Sequence, residues 1–273
     1  MPGLGSVWLG MADWELASVD GTISPTASAT IPLADDGLYR GDGVFEVIRL
    51  YHGRPLALIE HLDRLERSAA AIELPVERAI LEEELSAIIQ ANGDRDCQLR
   101  IIITRGGRRI AATEALPVQP EKARLASVTY SPTVILTGVK SLSYGANMQA
   151  TRIAKAAGAD EAVLVRPDGV VLEPPTSSVF WVNDGVLRTP AIEVGILQSI
   201  TRAALVRELE VAEGEYRLDE LRAASEAFLA STTREVHPVA SIDGVELEAP
   251  GPRTREATEA FGGVLERELG VPT

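Results

Sequence analysis

The chain has 273 residues, 45% of them hydrophobic, a formal net charge of −14 and a single cysteine, Cys97. That length suits one large domain or two smaller ones sharing an interface. The acidic balance argues against nonspecific binding to nucleic acid or an anionic membrane, and one cysteine excludes an intrachain disulfide and a cysteine-cluster metal site; His52, His61 and His237 are too scattered to suggest zinc.

The N-terminal stretch MPGLGSVWLGMADWELASVDG has no basic leader and no continuous apolar run. No segment reaches the roughly 18 apolar residues of a membrane span, so a cytoplasmic enzyme is expected. GVFEVIRLY reads as a strand turning at His52-Gly53-Arg54, and an amphipathic helix follows with Leu62, Leu65, Ala69 and Ile72 at helical spacing. RAILEEELSAIIQANG is a second helix ending at a glycine, CQLRIIITRGG a buried strand running into a glycine turn, and ARLASVTYS another strand. SPTVILTGVK reads as a linker, and NMQATRIAKAAGA as a helix closed by Gly158. EAVLVRPDGVVLE and SSVFWVNDGVLRTP are hairpins with Pro-Asp-Gly and Asn-Asp-Gly turns. SITRAALVRELE is a helix, EAFLASTTREVHPVASIDG a strand, polar turn and strand, and RTREATEAFGGVLEREL a C-terminal helix. The expected organisation is two α+β domains, 1–130 and 138–273, with residues 131–137 between them.

Lys140 is one of three lysines beside 23 arginines. Arginine substitutes for lysine on a solvated surface but not where chemistry needs an amine that can lose its proton. Poor solvation would lower the pKa of Lys140 and make it a nucleophile or base; a surface lysine after a glycine turn is the alternative. Glu173 ends an apolar strand before Pro174 and Pro175, where it could hold a cation in a cleft or simply close a turn. Ser199, Ile200 and Thr201 begin a helix whose free N–H groups suit a phosphate, and Ser231, Thr232 and Thr233 form a second polar turn. Arg64 lies on a helix face, either solvated or facing an anion. Arg100 lies inside an apolar strand and so needs a partner, a buried carboxylate or a substrate carboxylate, with Arg105, Arg108 and Arg109 close by.

The ordered segments YRGDGVFEVIR, EHLDRL, GVKSLSY, AGADEAVLVRPDGVVLEPPTSSVFW, ILQSITR and STTREVHPV resemble those of the class IV aminotransferases. These are the fold-type-IV pyridoxal phosphate (PLP) enzymes, which include branched-chain and D-amino-acid aminotransferases, R-selective amine transaminases and 4-amino-4-deoxychorismate lyase. The resemblance covers roughly residues 30–260 and implies a two-domain α+β fold like that of D-amino-acid aminotransferase. It implies that Lys140 forms the Schiff base with PLP, that Glu173 pairs with the pyridinium nitrogen, and that Tyr144 lies beside the phenolic oxygen. Arg64, Ser199, Ile200, Thr201 and Thr232 fall at the phosphate. Phe45, Arg100, Arg108 or Arg109, and Thr233 are expected to face amino and keto acid substrates. The sequence departs from the family at Glu173-Pro174-Pro175, where a glycine is usual, and at Gln198-Ser199, which replaces Pro-Gly. GVFEVIRLYHG favours the D-amino-acid branch, whereas Arg100 and TRGGRR resemble the lyase, which releases pyruvate and 4-aminobenzoate. A homodimer is expected from the family.

Overall fold

The computed structural model describes residues 12–270. In chain order the first part holds β1 (Leu16–Val19), β2 (Thr22–Pro25), α1 (Asp36–Arg40), β3 (Gly43–Tyr51), β4 (Arg54–Pro55), α2 (Leu58–Ala71), α3 (Arg78–Asn92), β5 (Cys97–Thr104) and β6 (Arg109–Glu114). These strands form one sheet in the order β2-β1-β6-β5-β3-β4. The remainder holds β7 (Ala123–Thr129), α4 (Gly145–Ala156), β8 (Glu161–Val165), β9 (Ser178–Asn183), β10 (Val186–Pro190), α5 (Ile200–Glu208), β11 (Ala212–Gly214), α6 (Leu218–Arg222), β12 (Glu226–Ser231), β13 (Glu235–Ile242), β14 (Val245–Glu246) and α7 (Pro252–Leu269). A second sheet runs β11-β10-β9-β12-β13-β7-β8, with β14 paired to β13. The fold is mixed α+β, as the sequence implies.

In the first sheet every neighbouring pair is antiparallel, with β3 and β5 registered Val44↔Ile103 through Leu50↔Cys97. The apolar stripes of α2 and α3 cover one face: Leu62, Leu65, Leu81, Leu85 and Ile88 pack with Ile48, Leu50, Leu99 and Ile101. Each such side chain stabilises the fold by about 1.5–3 kcal/mol relative to exposure. Their spacing also turns the polar residues His61, Arg64 and Ser68 inward. In the second sheet Phe180 and Phe228 stack at 4.9 Å beneath α5 and α7. Trp181 and Leu229 pack on the other face with Leu221.

The hairpin turn between β9 and β10 is read correctly from sequence: Asp184 and Gly185 have φ of 51° and 77°, the positive pair that a two-residue turn matching the strand twist needs. The arm returning after β8 keeps its hairpin path, with Leu172 N bonded to Leu164 O at 2.9 Å. With β8 it makes an isolated bridge, Val165↔Val171, and a second bridge joins Val170 to Arg217.

β7 falls within the span assigned from sequence to the first half, yet it pairs in parallel with β8 and β13. The chain therefore leaves the first sheet between Glu114 and Ala123, and residues 131–137 hold a 3-10 turn, Val134–Leu136, beyond β7. An apolar strand pattern reports burial, not which sheet accepts its hydrogen bonds.

Candidate active site

Lys140 lies on no regular element, but its segment is stitched to β3. Phe45 N donates to Lys140 O at 3.0 Å and Leu142 N to Gly43 O at 2.9 Å. Ser68 Oγ, on α2, accepts from Lys140 N at 3.1 Å. Gly43 permits this approach, since a Cβ there would collide with Ile103 O and the Leu142 side chain. The result sets Lys140 Nζ 4.2 Å above the centre of the Phe45 ring. Tyr144 meets the same ring edge-on at 5.4 Å, and its hydroxyl donates to Pro175 O. Burial pushes the Lys140 amine down to about 8, with Glu46 pulling it up and Arg64 pushing it further down. An amine in that range is about one-tenth unprotonated at pH 7, far more than an ordinary lysine.

Glu173 reaches the same cavity from the arm after β8, where Pro174 and Pro175 end the extended path. Its Oε1 accepts from Leu197 N at 2.8 Å. Burial pushes its carboxyl up to about 7, against the Leu197 bond and the charges of Lys140, Arg64 and Arg202. A cation placed beside it would return it to the ionised form.

Arg64 is buried rather than solvated, and its partner comes from within the chain. Its Nε and Nη2 each donate to Glu46 at 2.7 Å, and Nη1 donates to Gln198 O at 3.0 Å. His61 Nδ1 lies 2.8 Å from Glu46 Oε2. Burial raises the Glu46 carboxyl, but Arg64 and His61 outweigh it and hold the pKa down to about 2. Burial pushes the His61 imidazole below its usual value. Sequence reasoning missed Glu46, His61 and Ser68 as parts of the site. Two signals were present: a glutamate inside an apolar strand, and polar residues at i, i+3 and i+7 on one helix face.

At the start of α5 the Ser199 hydroxyl accepts from Arg202 N at 3.2 Å, so serine caps the helix where the family has glycine. Ser199 and Thr232 face both the main cavity, of about 940 Å³, and a smaller one of about 320 Å³ behind the helix start. Ile200 and Thr201 line only the smaller cavity. Thr232 and Thr233 sit on the β12–β13 turn, which is clamped on both sides. Arg234 pairs with Glu161 at 2.7 Å. Glu235 pairs with Arg49 at 2.6 Å and accepts from the Tyr51 hydroxyl at 2.9 Å.

The main cavity thus brings together Phe45, Arg64, Arg100, Lys140, Tyr144, Glu173, Ser199, Thr232 and Thr233. Arg108 and Arg109 do not line it. Arg108 pairs with Asp20 at 2.5 Å and Arg109 with Glu84 at 2.8 Å, so carboxylates of this acidic chain take up both charges. Arg100 does reach the cavity, but its Nε and Nη2 are held by Glu114 at 2.6 and 2.9 Å.

The donor set fits PLP: an amine of lowered pKa for its aldehyde, a carboxyl able to ionise beside a protonated ring nitrogen, and a capped helix start with Thr232 for its phosphate. Comparison with known proteins agrees. Residues 43–242 match the family model for amino-transferase class IV. The chain is 34% identical to the D-alanine aminotransferase of Bacillus licheniformis over 267 residues, covering 89% of this chain and 94% of the relative. It is 29% identical to the aminodeoxychorismate lyase of Bacillus subtilis over 278 residues, covering 92% and 94%. The crystal structure of the branched-chain aminotransferase of Thermoproteus uzoniensis with norvaline superposes with a TM-score of 0.83 at 30% identity, covering 93% of this chain and 96% of that one. The chain belongs to the class IV aminotransferases, a family of PLP-dependent enzymes.

Proposed function

We propose that this protein is a transaminase that moves an amino group between an amino acid, with D-amino acids as donors, and a 2-oxo acid, in ping-pong order. The observation that carries this reading is Lys140 Nζ standing 4.2 Å above the Phe45 ring, in a cavity walled on another side by Glu173. The similarity to a D-alanine aminotransferase supports the choice of donor.

PLP, when bound, supplies an electron sink for the carbanion left when the donor's Cα loses its proton. Lys140 is the group that removes that proton and redelivers one, and its lowered pKa suits both duties. Glu173, held by Leu197 N, is the carboxylate that would pair with a protonated ring nitrogen. Ser199, Thr232 and the start of α5 would hold the cofactor's phosphate. Arg64 braces this end through Gln198 O rather than offering a free guanidinium. Phe45 and Tyr144 wall off the amine, and Thr233 faces the substrate carboxylate. Reduction of the holoenzyme with borohydride followed by peptide mapping tests the reading: the pyridoxyl group is expected on Lys140, and a label on Lys122 or Lys155 would end it.

The second reading is 4-amino-4-deoxychorismate lyase, favoured by the similarity to a curated lyase. Pyruvate released from aminodeoxychorismate with no keto-acid acceptor present would establish it. We further propose a cytoplasmic homodimer. Ile31, Leu33, Leu38 and Tyr39, with Val134 and Ile135, are exposed apolar side chains on two stretches tied by Ser143 Oγ to Gly41 O. Among the described residues no helix is long and apolar enough to cross a membrane. Two domains divided between residues 114 and 123, following the sheets, are the organisation we propose.

A further inference from the structure

One face of the first sheet continues the cavity away from Lys140. Phe45 and Val47 alternate on β3, and Val47 is registered with Arg100 on β5. Gln98 is registered with Glu114 on β6. Residues two apart on a strand stand about 7 Å from each other. The strip therefore runs from Phe45, beneath the amine, to Val47 and Arg100, and then to Gln98 and Glu114. Phe45, Val47, Gln98 and Arg100 all line the main cavity. The charge of Arg100 is close enough to lower the pKa of Lys140. A donor whose Cα is at Lys140 can thus send its side chain along this strip.

An uncommitted arginine here would select a second carboxylate. Arg100 is committed. Glu114 accepts from its Nε at 2.6 Å and its Nη2 at 2.9 Å. Gln98 Nε2 donates to the same carboxylate. Of the three guanidinium nitrogens of Arg100, Nη1 alone has no hydrogen-bond partner among the described residues. The pair is electrically neutral, and a second carboxylate brought to it would meet Glu114 as a like charge.

We propose that Glu114 sets the substrate class: by neutralising Arg100 it makes this end of the cavity accept an uncharged side chain and turn away a second carboxylate. The proposal rests on the transaminase reading for its substrates, and the binding measurement below stands without that reading.

The test compares the wild-type holoenzyme with Glu114→Gln, Glu114→Asp and the double variant Glu114→Gln/Arg100→Leu. Glutarate and butyrate binding are followed by calorimetry, and kcat/KM is measured for 2-oxoglutarate and 2-oxobutyrate. Wild type is expected to favour the monocarboxylate side-chain class in both. Glu114→Gln frees a charge-assisted contact and should raise glutarate affinity and 2-oxoglutarate kcat/KM by about tenfold or more, leaving butyrate and 2-oxobutyrate within about twofold. Glu114→Asp keeps the charge and should show no such gain, and Arg100→Leu in the double variant should abolish it. A wild-type preference for glutarate overturns the proposal without recourse to any variant. So does a gain shared equally by both acids, or one that persists without Arg100. A wild-type enzyme inert toward every amino donor defeats the transaminase reading, while the glutarate and butyrate titrations still decide the role of Glu114.

Discussion

Lys140 and Glu173 face one cavity from distant parts of the chain, and burial moves their proton affinities in opposite directions, to about 8 and about 7. Burial disfavours the charged form of each relative to the same group in water. Glu173 lies above its ordinary value of 4.5, so in the cofactor-free protein its contribution to stability is full below that pH and lost as pH rises through about 7. Lys140 lies below its ordinary 10.5, so its contribution is full above that pH and lost as pH falls through about 8. Thermal melts of cofactor-free Glu173→Gln against wild type should therefore show the variant gaining in relative stability from pH 4.5 to pH 7. A flat difference over that window would mean that the carboxyl is not strained by burial. In the holoenzyme the same substitution should leave PLP bound but slow the amino-acid half-reaction by about ten- to hundredfold, because an amide cannot hold a protonated ring nitrogen as a carboxylate does. Unchanged single-turnover rates would place that duty on another group.

At the scale of elements, the Thr232–Thr233 turn depends on a clasp between the two sheets. Glu235 begins β13 with φ of 56°, a left-handed conformation that costs a non-glycine residue about 1–2 kcal/mol. Arg49 and Tyr51 of β3 hold it there. Glu235→Ala removes the clasp and keeps the strain, whereas Glu235→Gly removes both. Urea melts should show the alanine variant about 1–3 kcal/mol less stable than wild type and the glycine variant recovering about half of the loss. Equal losses would assign no strain to the backbone. The clasp also shows where sequence reading stops. The longer periodic elements, α2, α3, α4, α5 and α7 with β3, β5, β7, β9, β12 and β13, were legible because burial imposes a period of 3.6 or 2 over many residues, and β10 because an Asn-Asp-Gly turn announces it. α1, α6, β2 and β11 span five residues or fewer, and β6 follows an arginine-rich turn that masks its alternation. Lys140, Glu173 and the two polar turns stood out only as candidates by residue type, and it was the order of segments shared with the family that joined them into one expected site. Glu46 with Arg64, and Arg100 with Glu114, were not, because each pairing is made only when separate elements are brought together.

For the whole molecule, the exposed apolar side chains matter more than the core. Leu33 is 71% exposed, and Val134 and Ile135 are 83% and 84% exposed, although Leu136 and Thr137 beside them line the main cavity. Apolar side chains so exposed are a liability for a monomer and fit burial against a second copy. The wild-type chain should sediment at twice its chain mass at micromolar concentration. Leu33→Glu combined with Ile135→Glu places like charges in that contact and should shift the equilibrium to the monomer. Neither residue packs in a core cluster, so the circular dichroism of the variant should match wild type. Because the second stretch runs straight into the Lys140 segment, the monomer should also bind PLP more weakly, read as the absorbance of titrated cofactor. A double variant that remains dimeric with unchanged cofactor affinity would remove these stretches from the interface; a wild-type chain that sediments as a monomer would remove the dimer itself.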